Sequence, residues 1–216
     1  MHLSSKILSV LLSGLGFLSG LAWLQSTETS PSQLFSQTSA QEINVNPSDA
    51  IPERTITHFS QESEEASRWR NVDDNVMGGI SQGELSITTQ GTGWFKGTLS
   101  LENNGGFSSV RRDTSDYDFS NISSVITRVK GDGRRYQLRI QTRDADSVTY
   151  RAIFETTADE WQTVSVDVEA FEPVFRGRVI ESAPSLNAEG IYQIGFLIAD
   201  KKSGDFSLEV DWIGVE

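Results

Sequence analysis

From Glu84 to the end of the chain, apolar and polar residues alternate in short runs, each closed by Gly, Asn, Asp or Pro. A period of two puts successive side chains on opposite faces of an extended backbone, so such runs bury one face as strands and not as helices. "ELSITT", "GWFKGTLSL" and "GFSSVRR" come first, then "ISSVITRVK", "RYQLRIQTR", "SVTYRAIFET" and "WQTVSVDV", and "IYQIGFLIA" and "DFSLEVDWIGV" last. Their spacing of roughly ten residues is that of a sandwich or barrel. The pattern predicts an all-β sandwich with a long antiparallel core. "KGDGRRY", with Asp132 between two glycines, reads as a turn, and "TRDADSVT" and "ADKKSGDF" read as hairpin tips. Only "SQESEEASRW", before Trp69, has helical character, and it is short.

The chain of 216 residues suits one substantial domain with an extension, and it has no cysteine. That removes disulfides, thiolate metal sites and cysteine nucleophiles together, so the fold stands on its core. A net charge of −12 repels nucleic acid. The paired arginines Arg111-Arg112 and Arg134-Arg135 sit beside Asp113, Asp116 and Asp132 and do not offset it.

The amino terminus, "MHLSSKILSVLLSGLGFLSGLAWLQS", has a single basic residue, Lys6, and then an uncharged run from Ile7 to Leu24. It reads as a targeting segment: a signal cleaved after Ala22 or a retained membrane anchor, both of which fit. No Lys or Arg falls between Lys6 and Arg54, and this charge bias predicts an exported domain outside the cytoplasm, of periplasmic or thylakoid-lumen type. A Ser-, Thr-, Gln- and Asn-rich stretch follows and reads as a flexible tether. The organisation expected is a signal or anchor over 1–24, a linker over 25–54 and a folded domain over 55–216.

"WRNVDDNVMGGISQGEL", "FKGTLSLENNGGFSSVRR", "VKGDGRRYQLRI", "WQTVSVDVEAFEPVFRGR" and "IGFLIADKKSGDFSLEVDWI" occur in an order and spacing that resembles the complex I intermediate-associated protein family. The resemblance spans residues 56–214. It implies a galactose-binding-like jelly-roll sandwich, close in shape to carbohydrate-binding modules, with assembly-factor or chaperone-like work, no catalytic residues and no cofactor. The implied partner is a protein client, a subunit or assembly intermediate of a respiratory complex of the complex I type or of a photosynthetic complex. An export-like leader in place of a transit peptide is a departure from the family's mitochondrial pattern. A competing reading is an exported carbohydrate-binding module.

"NVDDNVMGGIS" raises three readings for Asp73 and Asp74. The consecutive acids lack the alternating ligand spacing of a calcium loop, which leaves a metal role undetermined. Neighbours on a strand point to opposite faces, so the two do not form an acid–base pair across a cleft. The remaining reading divides them. Asp74 points inward and accepts N–H bonds of its own loop, Asp73 is a surface contact, Val76 and Met77 enter the core, and Gly78-Gly79 allows the turn. "ENNGGF" reads as a tight hairpin turn at Gly105-Gly106. Asp73, Asn103, Asn104 and Arg111 form a candidate binding rim where the two glycine-rich loops meet, and Asp74, Gly78, Gly79, Gly105 and Gly106 form its structural support. His58, the only histidine outside the leader, has no nucleophile-elbow motif with it. Trp69, Trp94, Trp161 and Trp212 are candidates for a sugar-stacking platform, though strand alternation places most of them in the core.

Overall fold

The computed structural model describes residues 50–145 and 147–216. The leader over 1–24 and the tether as far as residue 49 lie outside the described residues. Within them the strands are β1 (Thr55–His58), β2 (Trp69–Asp73), β3 (Gln82–Ile87), β4 (Gly93–Leu99), β5 (Ser108–Asp113), β6 (Ser124–Lys130) and β7 (Arg135–Thr142), then β8 (Thr149–Glu155), β9 (Trp161–Asp167), β10 (Glu172–Phe175), β11 (Arg178–Val179), β12 (Ile191–Ile198) and β13 (Gly204–Val215). Helical structure is confined to short 3-10 turns, one of them the Glu65–Arg68 segment before Trp69.

Every pairing between these strands is antiparallel. They form two sheets. The first has 6 strands in the order β3-β4-β13-β6-β9, with β1 also on β13. β13 is long enough to use one edge twice: residues 204–210 pair with β4, and Trp212 to Gly214 then pair with β1. The second sheet has 7 strands in the order β11-β10-β8-β7-β12-β5-β2. Alternation does what the sequence predicts. In β7, Tyr136, Leu138 and Ile140 are buried while Gln137, Arg139 and Gln141 face outward. Val110, Tyr150, Phe154, Ile194 and Phe196 join them from the second sheet, and Phe95, Val129, Phe206, Leu208 and Val210 meet them from the first.

Several turns are not the hairpins their sequences suggest. β4 and β5 lie in different sheets, so "ENNGGF" is a crossover between layers. The same holds for "ADKKSGDF" between β12 and β13. Asn, Asp and Gly report the local backbone angles that a turn needs, and those angles do not say which sheet the next strand joins. "TRDADSVT", between β7 and β8, does connect hairpin partners. The strands that the alternation misses are β1, β2, β10 and β11, which are short and rich in polar residues or contain Pro173.

One end of the sandwich is fixed by ionic contacts. The Arg134 guanidinium donates to both carboxylate oxygens of Asp200 at 3.0 and 2.7 Å and to the carbonyls of Gly204 and Asp205 at 3.1 and 2.7 Å. Asp132 accepts from the Tyr136 hydroxyl at 3.0 Å and from the Ser207 N–H at 2.8 Å. These contacts tie the β6–β7 crossover to the start of β13. Burial raises the Asp200 carboxyl, but hydrogen bonds from Arg134 and the Lys202 N–H outweigh it and hold the group below its ordinary value. Arg134→Met removes the partner of a buried carboxylate and should cost about 3 kcal/mol in urea unfolding at neutral pH. The double replacement Arg134→Met with Asp200→Leu should recover part of that loss.

Candidate functional site

β2 ends at Asp73, and the chain turns at once through the 3-10 segment Asp74–Met77. Asp74 is buried, and its carboxylate joins two loops that are distant in sequence. Oδ1 accepts the Ser81 N–H at 2.9 Å. Oδ2 accepts the Ser81 hydroxyl at 2.6 Å and the N–H groups of Gly106 and Phe107 at 2.6 and 3.3 Å. The Asp74 N–H in turn donates to the Phe107 carbonyl at 3.3 Å, and Ser81 and Ser100 are bonded to each other. Burial pushes this carboxyl up. The Ser81 hydroxyl and the N–H groups of Gly106, Ser81 and Phe107 together outweigh that and hold it below the ordinary 3.8.

Each glycine pair divides its work around this carboxylate. Gly78 and Gly106 take positive φ angles of 89° and 119°, conformations that side chains resist. Gly79 and Gly105 do not, and their reason is space: a Cβ at either would run into the Asp74 carboxylate. Asn103 and Asn104 are exposed and hold left-handed angles of 55° and 58°.

Asp73 is not the free surface acid expected. It is half-buried, accepting the Ser108 hydroxyl at 2.6 Å and the Gly83 N–H at 3.2 Å, and so it links β5 to β3 across the gap between sheets. The expectation failed because Asp74 has already left the strand, so strand alternation does not apply to the pair. The donors around both carboxylates suit anions. Among the described residues no group of three or more His, Cys, Asp or Glu side chains is placed to hold a metal ion.

The predicted rim is only partly one surface. The two glycine-rich loops meet at one end of the sandwich, with Asn103 and Asn104 exposed there, but Arg111 projects from the outer face of the second sheet, opposite to the inward Ser108 and Asp73. Val76 and Met77 are also corrected. They are each 69 % exposed, and with Ile80 at 51 % and Leu101 at 45 % they make an apolar tip on the two loops. The inward position in this turn is taken by Asp74, which is buried, while Val76 and Met77 face solvent.

The outer faces of the sheets differ in how they treat charge. On the first sheet cations are matched: Lys130 to Glu209 at 2.7 Å, Arg128 to Asp211 at 2.8 Å and Lys96 to Glu84 at 3.5 Å. Lys96 also lies 3.8 Å from the centre of the Trp94 ring, and Arg128 lies 4.7 Å from that of Trp161. Trp69 and Trp212 are buried, so the four tryptophans do not form one platform. On the second sheet the registers align Arg70, Arg111, Gly195, Arg139 and Arg151 in a single row across β2, β5, β12, β7 and β8. This row was invisible in the sequence, where its members are scattered from 70 to 195.

Two antiparallel sheets with fixed loops at one end and unlike outer faces define a galactose-binding-like jelly roll of the carbohydrate-binding-module shape. A family 11 carbohydrate-binding module from Clostridium thermocellum superposes with a TM-score of 0.55 at 17 % identity, covering 77 % of this chain and 96 % of the module, a likeness of fold alone. The chain belongs to the complex I intermediate-associated protein 30 family, whose pattern matches residues 57–210. The mitochondrial complex I intermediate-associated protein 30 of Mus musculus is 28 % identical over 184 residues, covering 75 % of this chain and 56 % of the relative. The Drosophila melanogaster protein of the same name is 24 % identical over 173 residues, covering 69 % and 58 %. The chain thus spans little more than half the length of these relatives.

The names of these relatives overturn the expected location. Both are mitochondrial proteins, which withdraws the prediction of an exported domain of periplasmic or lumen type. The apolar run behind that prediction measures hydrophobicity and does not by itself carry an address, and among the described residues no helix is long and apolar enough to cross a membrane.

Asp74→Ala leaves several donors without an acceptor in a buried site and should cost about 3 kcal/mol in urea unfolding, while Asp73→Ala, which removes a half-buried carboxylate with two donors, should cost about 1 kcal/mol. The depressed Asp74 carboxyl contributes stability that is complete above its ordinary value of 3.8 and is lost as pH falls through its lower folded value. Asp74→Asn should therefore show a shallower loss of stability than the parent when both are titrated below about pH 4.

Proposed function

We propose that this chain is a non-catalytic assembly factor that holds a protein client, a subunit or intermediate of a membrane respiratory complex of the complex I type, through the loop end of its sandwich. Family membership supports the assembly role. The observation that carries the mode of action is the apolar tip: Val76, Met77, Ile80 and Leu101 stand exposed on loops that the Asp74 carboxylate makes rigid. Large aliphatic side chains held in water on a fixed support are costly unless a partner covers them, and a preorganised patch binds without an ordering penalty. The four-residue tip can serve as the buried centre of a contact, with Asn103 and Asn104 at its polar margin.

The alternative of a carbohydrate-binding module is supported by shape only. A sugar-stacking surface needs uncovered ring faces, and the half-buried Trp94 and Trp161 rings already carry Lys96 and Arg128.

The combined replacement of Val76, Met77, Ile80 and Leu101 by Ser tests this reading. The variant should melt at the temperature of the parent or above it and should no longer co-purify with identified complex I assembly intermediates from a strain that lacks the native copy. Undiminished co-purification would defeat the proposal.

A further inference from the structure

The arginine row carries a second binding property, on a different surface from the loop tip. Arg70 pairs in register with Arg111, Arg111 with Gly195, Gly195 with Arg139, and Arg139 with Arg151. Neighbouring strands lie about 4.8 Å apart, so the row extends for about 19 Å across the sheet. Arg151 is paired with Glu172 of β10 at 3.1 Å, which closes one end. Arg70, Arg111 and Arg139 make no ion pair among the described residues, and Arg139 Nη1 donates to Gln137 Oε1 at 2.9 Å. Asp113, on the same face of β5, accepts the Ser115 N–H at 2.9 Å and interacts at longer range with the charges of Arg143 and Arg70, so the row has one acidic neighbour beside Glu172. In a chain of net charge −12, a line of unpaired cations is not a by-product of composition.

The row also borders a small depression. Gly195 lies at its centre because a Cβ there would meet the Val110 carbonyl, and a depression of about 20 Å³, room for a single water, is lined by Arg111, Arg139, Gln141, Thr149 and Gln193. Gln193 is only 3 % exposed, and its Oε1 has no hydrogen-bond partner. Burial and the neighbouring Arg111 and Arg151 charges push the Arg139 guanidinium down to about 10. Burial and then Arg70 lower that of Arg111. The like charges repel one another, and an anion laid along the row relieves that repulsion.

We propose that this face binds an extended acidic segment of a polypeptide, with carboxylates on Arg70, Arg111 and Arg139 and a backbone N–H directed toward Gln193. The row is too long for one phosphate or one headgroup to fill, and it suits carboxylates on alternate residues of an extended chain, about 7 Å apart on one face. The unpartnered Gln193 oxygen needs a donor, which a peptide backbone supplies and a fully ionised phosphate does not. Arginine offers planar two-point contacts to carboxylates. The inference rests on the assembly reading in taking a protein as the ligand, and it names a separate surface and the chemistry of the segment held there.

The test uses the full chain and a synthetic peptide of alternating glutamate and serine, with its glutamine counterpart as control, by calorimetric or fluorescence titration. The glutamate peptide should bind and weaken as salt rises, and the glutamine peptide should not bind. Arg111→Gln and Arg139→Gln should each reduce affinity about tenfold or more, with melting temperatures equal to or above the parent's because repulsion has been removed. The serine variant of the loop tip should bind the peptide as the parent does. Inorganic phosphate and vesicles of phosphatidylcholine with phosphatidylglycerol serve as competing ligands. No peptide binding, binding unaffected by either arginine variant, or tighter binding of phosphate or vesicles than of peptide would overturn the proposal. Peptide binding without capture of complex I intermediates by the parent would instead sink the assembly reading and leave the acidic-segment site standing.

Discussion

The fixed end of this molecule depends on one buried carboxylate. Asp74 receives donors from Ser81 on its own loop and from Gly106 and Phe107 on the loop that carries the chain between sheets. An isolated buried charge would be expensive, and here the surrounding N–H and O–H dipoles substitute for water. The local sequence follows from that single need. Gly79 and Gly105 are without side chains because the carboxylate occupies the space, and Gly78 and Gly106 reverse the chain so that its amides point inward. The two loops are tied together by these bonds, and the four aliphatic residues they carry stay exposed.

The two outer faces solve the same problem of surface charge differently. On the first sheet, lysine and arginine are placed over carboxylates and indole rings, so the local field is largely cancelled. The second sheet collects arginines in register and, Arg151 apart, gives them no carboxylate at ion-pair distance among the described residues. Arg112 shows the contrast within β5, because it turns inward to Glu65 at 2.6 Å while its neighbour Arg111 stays on the unpaired face. A single strand thereby contributes both an internal ion pair and an external cation, according to the parity of the position.

How much of this was legible in the sequence depended on the range of the interaction. Period-two runs revealed the long strands, since each such run reports its own burial. β2 escaped because "WRNVD" is mostly polar, and β10 because Pro173 and its brevity weaken the signal. Asp74 could be read as an inward acid, with Gly78 and Gly79 in its turn, from residues within a few positions of one another, but its bonds to Gly106 and Phe107 on a distant loop could not. Asp73 was misjudged because its partners, Gly83 and Ser108, belong to other strands. The apolar tip ran against expectation because Val76 and Met77 look like core residues, whereas in this turn Asp74 is the buried one. The arginine row needed the registers of adjoining strands, which no local pattern encodes.

The last of the described strands in chain order occupies the middle of its sheet. β13 lies between β4 and β6 and also receives β1, so the first sheet exists only as separate fragments until residues 204–215 have been made. As the chain emerges from a ribosome, the β3–β4 hairpin and the β6–β9 pair have no common strand to join them, and the apolar sides of both stay wet. Closure of the sandwich therefore waits for β13, whose long-range pairings join fragments that are far apart in the chain.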